Sequence, residues 1–171
     1  ILDGVVYAII GQQISSQVAL VLRRSLTTTY GESLYVDGVE YRLFPGPQKL
    51  VDAGIEGLRR QKLSSKKAEY SIDISEKILS GELNLDDLYS KSDETVISEL
   101  TAPRGVGEWT AHWQLLRTLG RLDGFPHGDL ALQRSLAIMT DKGTRMTGPE
   151  ALEYSLKWSP YRAYVTAYIF S

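Results

Sequence analysis

The chain has 171 residues, 43% of them hydrophobic and 23% charged, which supplies a sizeable core and excludes an intrinsically disordered segment. It has no cysteine, which excludes disulfides, thiolate metal sites, cysteine nucleophiles and cysteine-ligated iron–sulfur clusters, and no apolar run approaches the roughly 20 residues that span a bilayer. A net charge of −2 and a pI near 5.7 weigh mildly against wholesale nucleic-acid binding. A protein that grips a few phosphates through backbone amides, a bound cation and a few basic side chains can nonetheless be acidic overall.

One compact, all-α domain over 1–171 is the expectation for this length and pattern. Its approximate subdomains would be terminal helices, 1–30 plus 126–171, and a middle bundle, 31–125. The chain opens without an initiator methionine, directly in the helical pattern ILDGVVYAII, and is expected to be a domain of something longer.

Val5, Val6, Ile9, Ile10, Ile14, Val18, Val21 and Leu22 fall at helical spacings in a long, mostly buried opening segment that stops near Tyr30-Gly31. Residues 32–47 are the least helical. Asp37-Gly38 marks a turn between short β-prone pieces, so a small hairpin near 34–44 is the most that is expected. Short helices follow at 48–53, 56–60, 65–79, 86–89 and 93–100, with Ser64 or Ser65 and Ser92 as candidate N-caps. Helices over 107–119 and 129–139 flank a loop at 120–128. A final pair, 149–157 and 160–170, each opens with proline at or near its first turn.

Chemistry concentrates between Thr101 and Arg134. In PRGVGEW, Gly105 and Gly107 permit crowded or left-handed backbone and leave no side chain between the chain and a phosphate. The N–H groups opening the next helix form an anion site. Two glycines between helices also describe an ordinary tight connection. Asp129 likewise has two readings, an N-cap for LALQRSLAIM and a carboxylate held rigidly for catalysis, and the two are compatible. Trp109 and Trp113, four apart, share a helix face, either in a core stripe or in a pocket. His112 and His127, isolated from clustered carboxylates, are a poor metal set. Asp123, the only rival carboxylate in the loop, reads as exposed.

Gly-Val-Gly-Glu-Trp-Thr-Ala, then Phe-Pro-x-Gly-Asp-Leu-x-Leu-x-Arg, with Ile-Ile-Gly-Gln-Gln-Ile-Ser near the start and Trp-Ser-Pro-Tyr-Arg-Ala-Tyr near the end, resembles the helix-hairpin-helix (HhH-GPD) DNA glycosylases. Within them the pattern is most similar to the bacterial 3-methyladenine DNA glycosylase II branch, the AlkA-like enzymes. Four motifs in order, over nearly the whole chain, are far more specific than any one.

The resemblance implies two helical subdomains flanking a cleft, and a hairpin that grips the DNA backbone through Gly105, Val106 and Gly107, with Arg104 either touching a phosphate or standing as a solvated surface charge. It implies a sodium or potassium ion on the backbone carbonyls of Thr101, Pro103 and Val106, and no catalytic cofactor. Asp129 would be the catalytic carboxylate. Trp113 would line the base pocket, with Trp109 as wall or packing and Phe170 opposite, so that a cationic base stacked on an aromatic face gains ~1–2 kcal/mol. Gln12 and Gln13 stand where the family fills the gap left by a flipped nucleotide, although Gln13 replaces an apolar wedge. Arg104 replaces a proline common in relatives, and Tyr161 and Arg162 fit a motif for which packing is reason enough.

In bifunctional relatives such as endonuclease III, a lysine two residues after the hairpin's last glycine attacks the sugar. Here that position is Trp109, and an indole cannot form an imine. The implied protein is a monofunctional hydrolase of base excision repair, releasing alkylated purines from double-stranded DNA by base flipping, monomeric, intracellular (cytoplasm and nucleoid, or nucleus in a eukaryote) and independent of membranes. Alternatives are a non-catalytic helix-hairpin-helix DNA-binding module, or a glycosylase for deaminated or oxidised bases.

Overall fold

A computed structural model describes all 171 residues, Ile1–Ser171. The chain carries nine α-helices: α1 (Leu2–Gly11), α2 (Ser16–Tyr30), α3 (Pro47–Arg60), α4 (Ser65–Leu79), α5 (Asp93–Thr101), α6 (Glu108–Arg117), α7 (Leu130–Met139), α8 (Gly148–Ser155) and α9 (Arg162–Ile169). One antiparallel hairpin joins β1 (Ser33–Val36) to β2 (Val39–Arg42). No helix is long and apolar enough to cross a membrane. The all-α expectation and the single small hairpin are both met.

Two compact units partition the chain, Ile1–Tyr89 with Ala102–Val106, and Ser90–Thr101 with Gly107–Ser171. These boundaries fall elsewhere than the expected grouping of 1–30 with 126–171, because α1 packs on α2 and α4 and so joins the middle helices.

In the first unit, Val5, Val6, Ile9 and Ile10 of α1 are fully buried. The single long opening helix of the sequence reading is in fact two. The chain breaks after Gly11, Gln13 adopts φ +59°, and the Ser15 hydroxyl accepts the Val18 N–H to start α2. The apolar spacing runs through this break, which is why periodicity conceals it. Beyond it the buried stripe is Ala19, Leu22 and Leu26, three and four apart, and Val18 and Val21 are left 48% and 63% exposed. The expectation of a mostly buried opening segment therefore holds for α1 and fails for α2.

The other elements follow from local chemistry. Asp37 and Gly38 both take positive φ, 51° and 78°, as the tightest two-residue hairpins require. The two short helices expected at 48–53 and 56–60 form α3, interrupted at Gly54 (φ 61°, ψ 176°). Ser64 caps α4 by accepting the Lys67 N–H. Lys67 then crosses to α1, its ammonium donating to the carbonyls of Ile10 (2.6 Å) and Gln12 (2.8 Å) at the end of that helix. Burial there pulls its pKa below the usual lysine range.

In the second unit, Phe125, Leu132, Leu136, Ala137, Met146 and Ala151 form a buried cluster covered by Leu152, Tyr154, Trp158 and Ile169. Thr147 and Glu150 make a reciprocal capping box at the start of α8. The last helix begins at Arg162, two residues after the expected Pro160.

Lys67 satisfies two helix-terminal carbonyls at once, so Lys67→Met is expected to lower stability by about 1–3 kcal/mol, the range for hydrogen bonds to a charged donor, as read from urea unfolding midpoints.

Candidate active site

The loop at 120–129 is anchored before it reaches Asp129. Phe125 is buried in the core, the His127 carbonyl accepts the Gln133 side-chain N–H at 2.8 Å, and the Asp129 N–H donates to the Pro126 carbonyl at 2.8 Å. Gln133 is itself buried on α7. The Asp129 backbone is therefore tied on both sides by groups that do not move with solvent.

The two oxygens of the Asp129 carboxylate do different work. Oδ1 accepts the N–H groups of Ala131 (2.9 Å) and Leu132 (3.0 Å), an N-cap for α7. Oδ2 accepts the indole N–H of Trp109 at 2.7 Å and faces that of Trp113 at 3.4 Å. Cap and candidate catalyst coexist on one side chain, as the sequence allows. Four donors fix the plane of the carboxylate, and Oδ2 points at the aromatic cluster rather than into its own helix.

Around Oδ2, Trp109 and Trp113 pack edge to face with ring centroids 6.3 Å apart, and Trp113 and Phe170 do the same at 5.3 Å. The three aromatics singled out in the sequence are thus brought together with Asp129. Their accessibility differs from the expectation. Trp113 is 8% exposed and the Arg117 guanidinium lies 4.2 Å from its ring centroid, whereas Trp109 and Phe170 are 41% and 39% exposed. The accessible aromatic surface of the cluster is therefore that of Trp109 and Phe170, and the face of Trp113 already carries a cation. Sequence reasoning missed Arg117; its spacing of four from Trp113 is the signal that would have found it.

Asp123 is corrected. It is not a free exposed carboxylate but the partner of Arg162, which donates to both oxygens at 2.7 Å, with Ser159 Oγ at 2.9 Å. The guanidinium holds its pKa below the ordinary aspartate range. Arg162 thereby anchors the loop to α9, and the Asp123 charge is neutralised by its guanidinium, whereas the donors to Asp129 are all neutral N–H groups. Tyr161 is exposed beside it.

His112 and His127 meet edge to face at 5.1 Å, each with a buried Nδ1 that has no partner. No group of three or more potential metal-binding side chains forms anywhere in the chain. Burial first, then the neighbouring His127, push the His112 pKa down to about 4.

In the first unit, the hairpin turns at Gly105, whose φ of +88° favours glycine and whose missing Cβ would sit 2.3 Å from the Tyr70 ring. Any side chain there would expel Tyr70. Gln12 donates its amide N–H to the Gly105 carbonyl at 2.8 Å, so it is a strut between the α1–α2 bend and the hairpin rather than a free DNA contact. Gln13 is exposed at the bend in its left-handed conformation. Arg104 is exposed, and Val106 is buried with its N–H on the Pro103 carbonyl at 3.4 Å. That carbonyl keeps a second lone pair, and neutral oxygens suit a monovalent cation. Thr101 ends α5 in the second unit. Gly107 is extended and no atom stands where its side chain would, leaving the uncapped first turn of α6 open.

The profile of the HhH-GPD superfamily of base excision DNA repair proteins matches residues 6–160. The DNA-3-methyladenine glycosylase of Bacillus subtilis is 30% identical over 98% of this chain and 55% of its own length. DNA-3-methyladenine glycosylase 2 of Escherichia coli is 30% identical over 96% of this chain and 55% of its own length. Among solved structures, a 3-methyladenine DNA glycosylase from Archaeoglobus fulgidus superposes with a TM-score of 0.87 at 30% identity, covering 99% of this chain and 57% of that one. The chain spans just over half the length of these relatives.

The depressed His112 pKa has a sign. Between about pH 4 and the ordinary histidine value near 6.5, the unfolded chain binds more protons than the folded one. This contribution to stability is complete above about pH 6.5 and falls as acid is added through that window. Urea midpoints should drop from about pH 7.5 to about pH 5, and His112→Asn should flatten the drop.

Proposed function

The chain belongs to the HhH-GPD superfamily of base excision DNA repair proteins, and from that premise we propose that it hydrolyses the N-glycosidic bond of alkylated purines in double-stranded DNA. The observation that carries this reading is the division of labour on Asp129, one oxygen capping α7 and the other aimed at Trp109 and Trp113.

A base inside a duplex stack is out of reach, so the nucleotide is extruded toward Asp129. Breaking the glycosidic bond builds positive charge on the deoxyribose. A fixed carboxylate opposite that charge stabilises it without having to reorganise during the reaction. Hydrolysis of a sugar bond usually needs a second carboxyl group to protonate the leaving group. An N-alkylated purine already carries positive charge and leaves readily. One carboxylate then suffices, in keeping with the engagement of Asp123 by Arg162.

The names of the Bacillus subtilis and Escherichia coli relatives support alkylated purines as substrates. In the first unit the turn at Gly105 and the exposed Arg104 suit a phosphate, and a sodium or potassium ion on the hairpin carbonyls would bridge to it; in the second unit the open first turn of α6 suits an anion by itself. With Trp109 where bifunctional relatives carry a lysine, the water-dependent reaction leaves an abasic site and an intact strand.

Asp129→Asn is expected to slow release of methylated purines by about 100-fold or more, the scale for losing one preorganised electrostatic group. Asparagine keeps the helix cap but turns an amide N–H2 toward the Trp109 indole N–H, so a stability loss of about 1–3 kcal/mol should accompany it. Release assays paired with urea unfolding check both, and undiminished release would end the assignment. Borohydride added during turnover should leave no protein covalently joined to DNA; efficient trapping would show that an amine attacks the sugar.

A further inference from the structure

Trp109, Trp113 and Arg117 follow one another at intervals of four along α6 and so lie on one face of it. Trp113 links the ends of this row. Its indole N–H faces Asp129 Oδ2 at 3.4 Å, while its ring carries the Arg117 guanidinium at 4.2 Å from the centroid. Stacking engages only the flat face of a guanidinium; the N–H donors lie in its plane and remain free. No carboxylate or carbonyl of the chain takes the Arg117 donors, and the side chain is exposed. An exposed guanidinium thus lies over the ring whose indole N–H faces the Asp129 carboxylate.

We propose that Arg117 is a specificity-determining residue that donates to the oxo group of a flipped purine and so favours 6-oxo purines over 6-amino purines. The inference rests on the reading of Asp129 as the glycosylase carboxylate. The guanidinium matches O6 of a guanine or hypoxanthine lesion, and arginine is the usual reader of that acceptor. The exocyclic amine of an adenine lesion presents N–H donors instead. Donor would then face donor with neither satisfied, and sites built to hydrogen-bond a substrate reject analogues that leave their polar groups unpaired. The positive charge of a base does not select for this residue, because Arg117 is itself a cation on the ring such a base would use.

Duplex DNA treated with a methylating agent carries 7-methylguanine and 3-methyladenine together, so the two released bases can be quantified from one reaction. The ratio of 7-methylguanine to 3-methyladenine release is expected to fall by about 10- to 100-fold in Arg117→Met. Arg117→Lys, which keeps the charge but loses the fork, should recover only part of the ratio. Near-ultraviolet circular dichroism of the tryptophans reports whether the aromatic cluster survives each substitution. Equal slowing of both bases, or a salt dependence of duplex binding reduced by about one phosphate contact in Arg117→Met, would mark a structural or backbone role and overturn the proposal. An unchanged ratio with an intact cluster would overturn it too. Release of neither base by the unmodified protein would instead end the glycosylase reading on which the inference rests.

Discussion

The second unit is organised around one constraint, the need of α7 for an N-cap acceptor. Meeting it with Asp129 fixes Oδ1 against two backbone amides and leaves Oδ2 with a single direction to face. The loop leading to it is locked by Phe125 in the core, by Gln133 on the His127 carbonyl and by the Arg162–Asp123 fork. The carboxylate therefore stands where it does because the helix and the core require it. The proposed opposition of a developing charge would draw on that rigidity and on the tryptophan donors, which reach it from α6.

The tryptophan row shows how one helix can hold several roles. Trp109 is half-exposed and bonded to Oδ2, Trp113 is buried with the Arg117 guanidinium over its ring, and Arg117 itself is exposed at the end of the row. Phe170 enters from the end of α9 to complete the aromatic wall. Aromatic rings on which nothing polar converged would be core; here a carboxylate and a guanidinium flank the same indole.

What could be read beforehand was local chemistry. Ser64 before α4, Asp37-Gly38 between the strands and Asp129 before α7 each act within four residues of themselves, and all were legible. Features that depend on distant partners were not. Gln12 reaches Gly105 across 93 residues and Arg162 reaches Asp123 across 39, and neither pairing leaves a trace in periodicity or composition. The break at Gln13 was hidden for the opposite reason, since the apolar spacing continues through it undisturbed. Arg117 was overlooked because a charge at the end of a helix is ordinarily a solvated one.

Gly105 carries a consequence for how such a chain can change over time. Its turn is packed on Tyr70 and strutted by Gln12, all within the first unit, whereas Asp129, the tryptophan row and Phe170 belong to the second. The chain passes between the units at three peptide bonds, Tyr89–Ser90, Thr101–Ala102 and Val106–Gly107. Mutational drift in α6 or α9 can therefore alter the aromatic cluster around Asp129 while leaving untouched the packing of Gly105 on Tyr70. Under the proposed function, a lineage with this layout would diversify its lesion preference one side chain at a time while the turn at Gly105 keeps its shape.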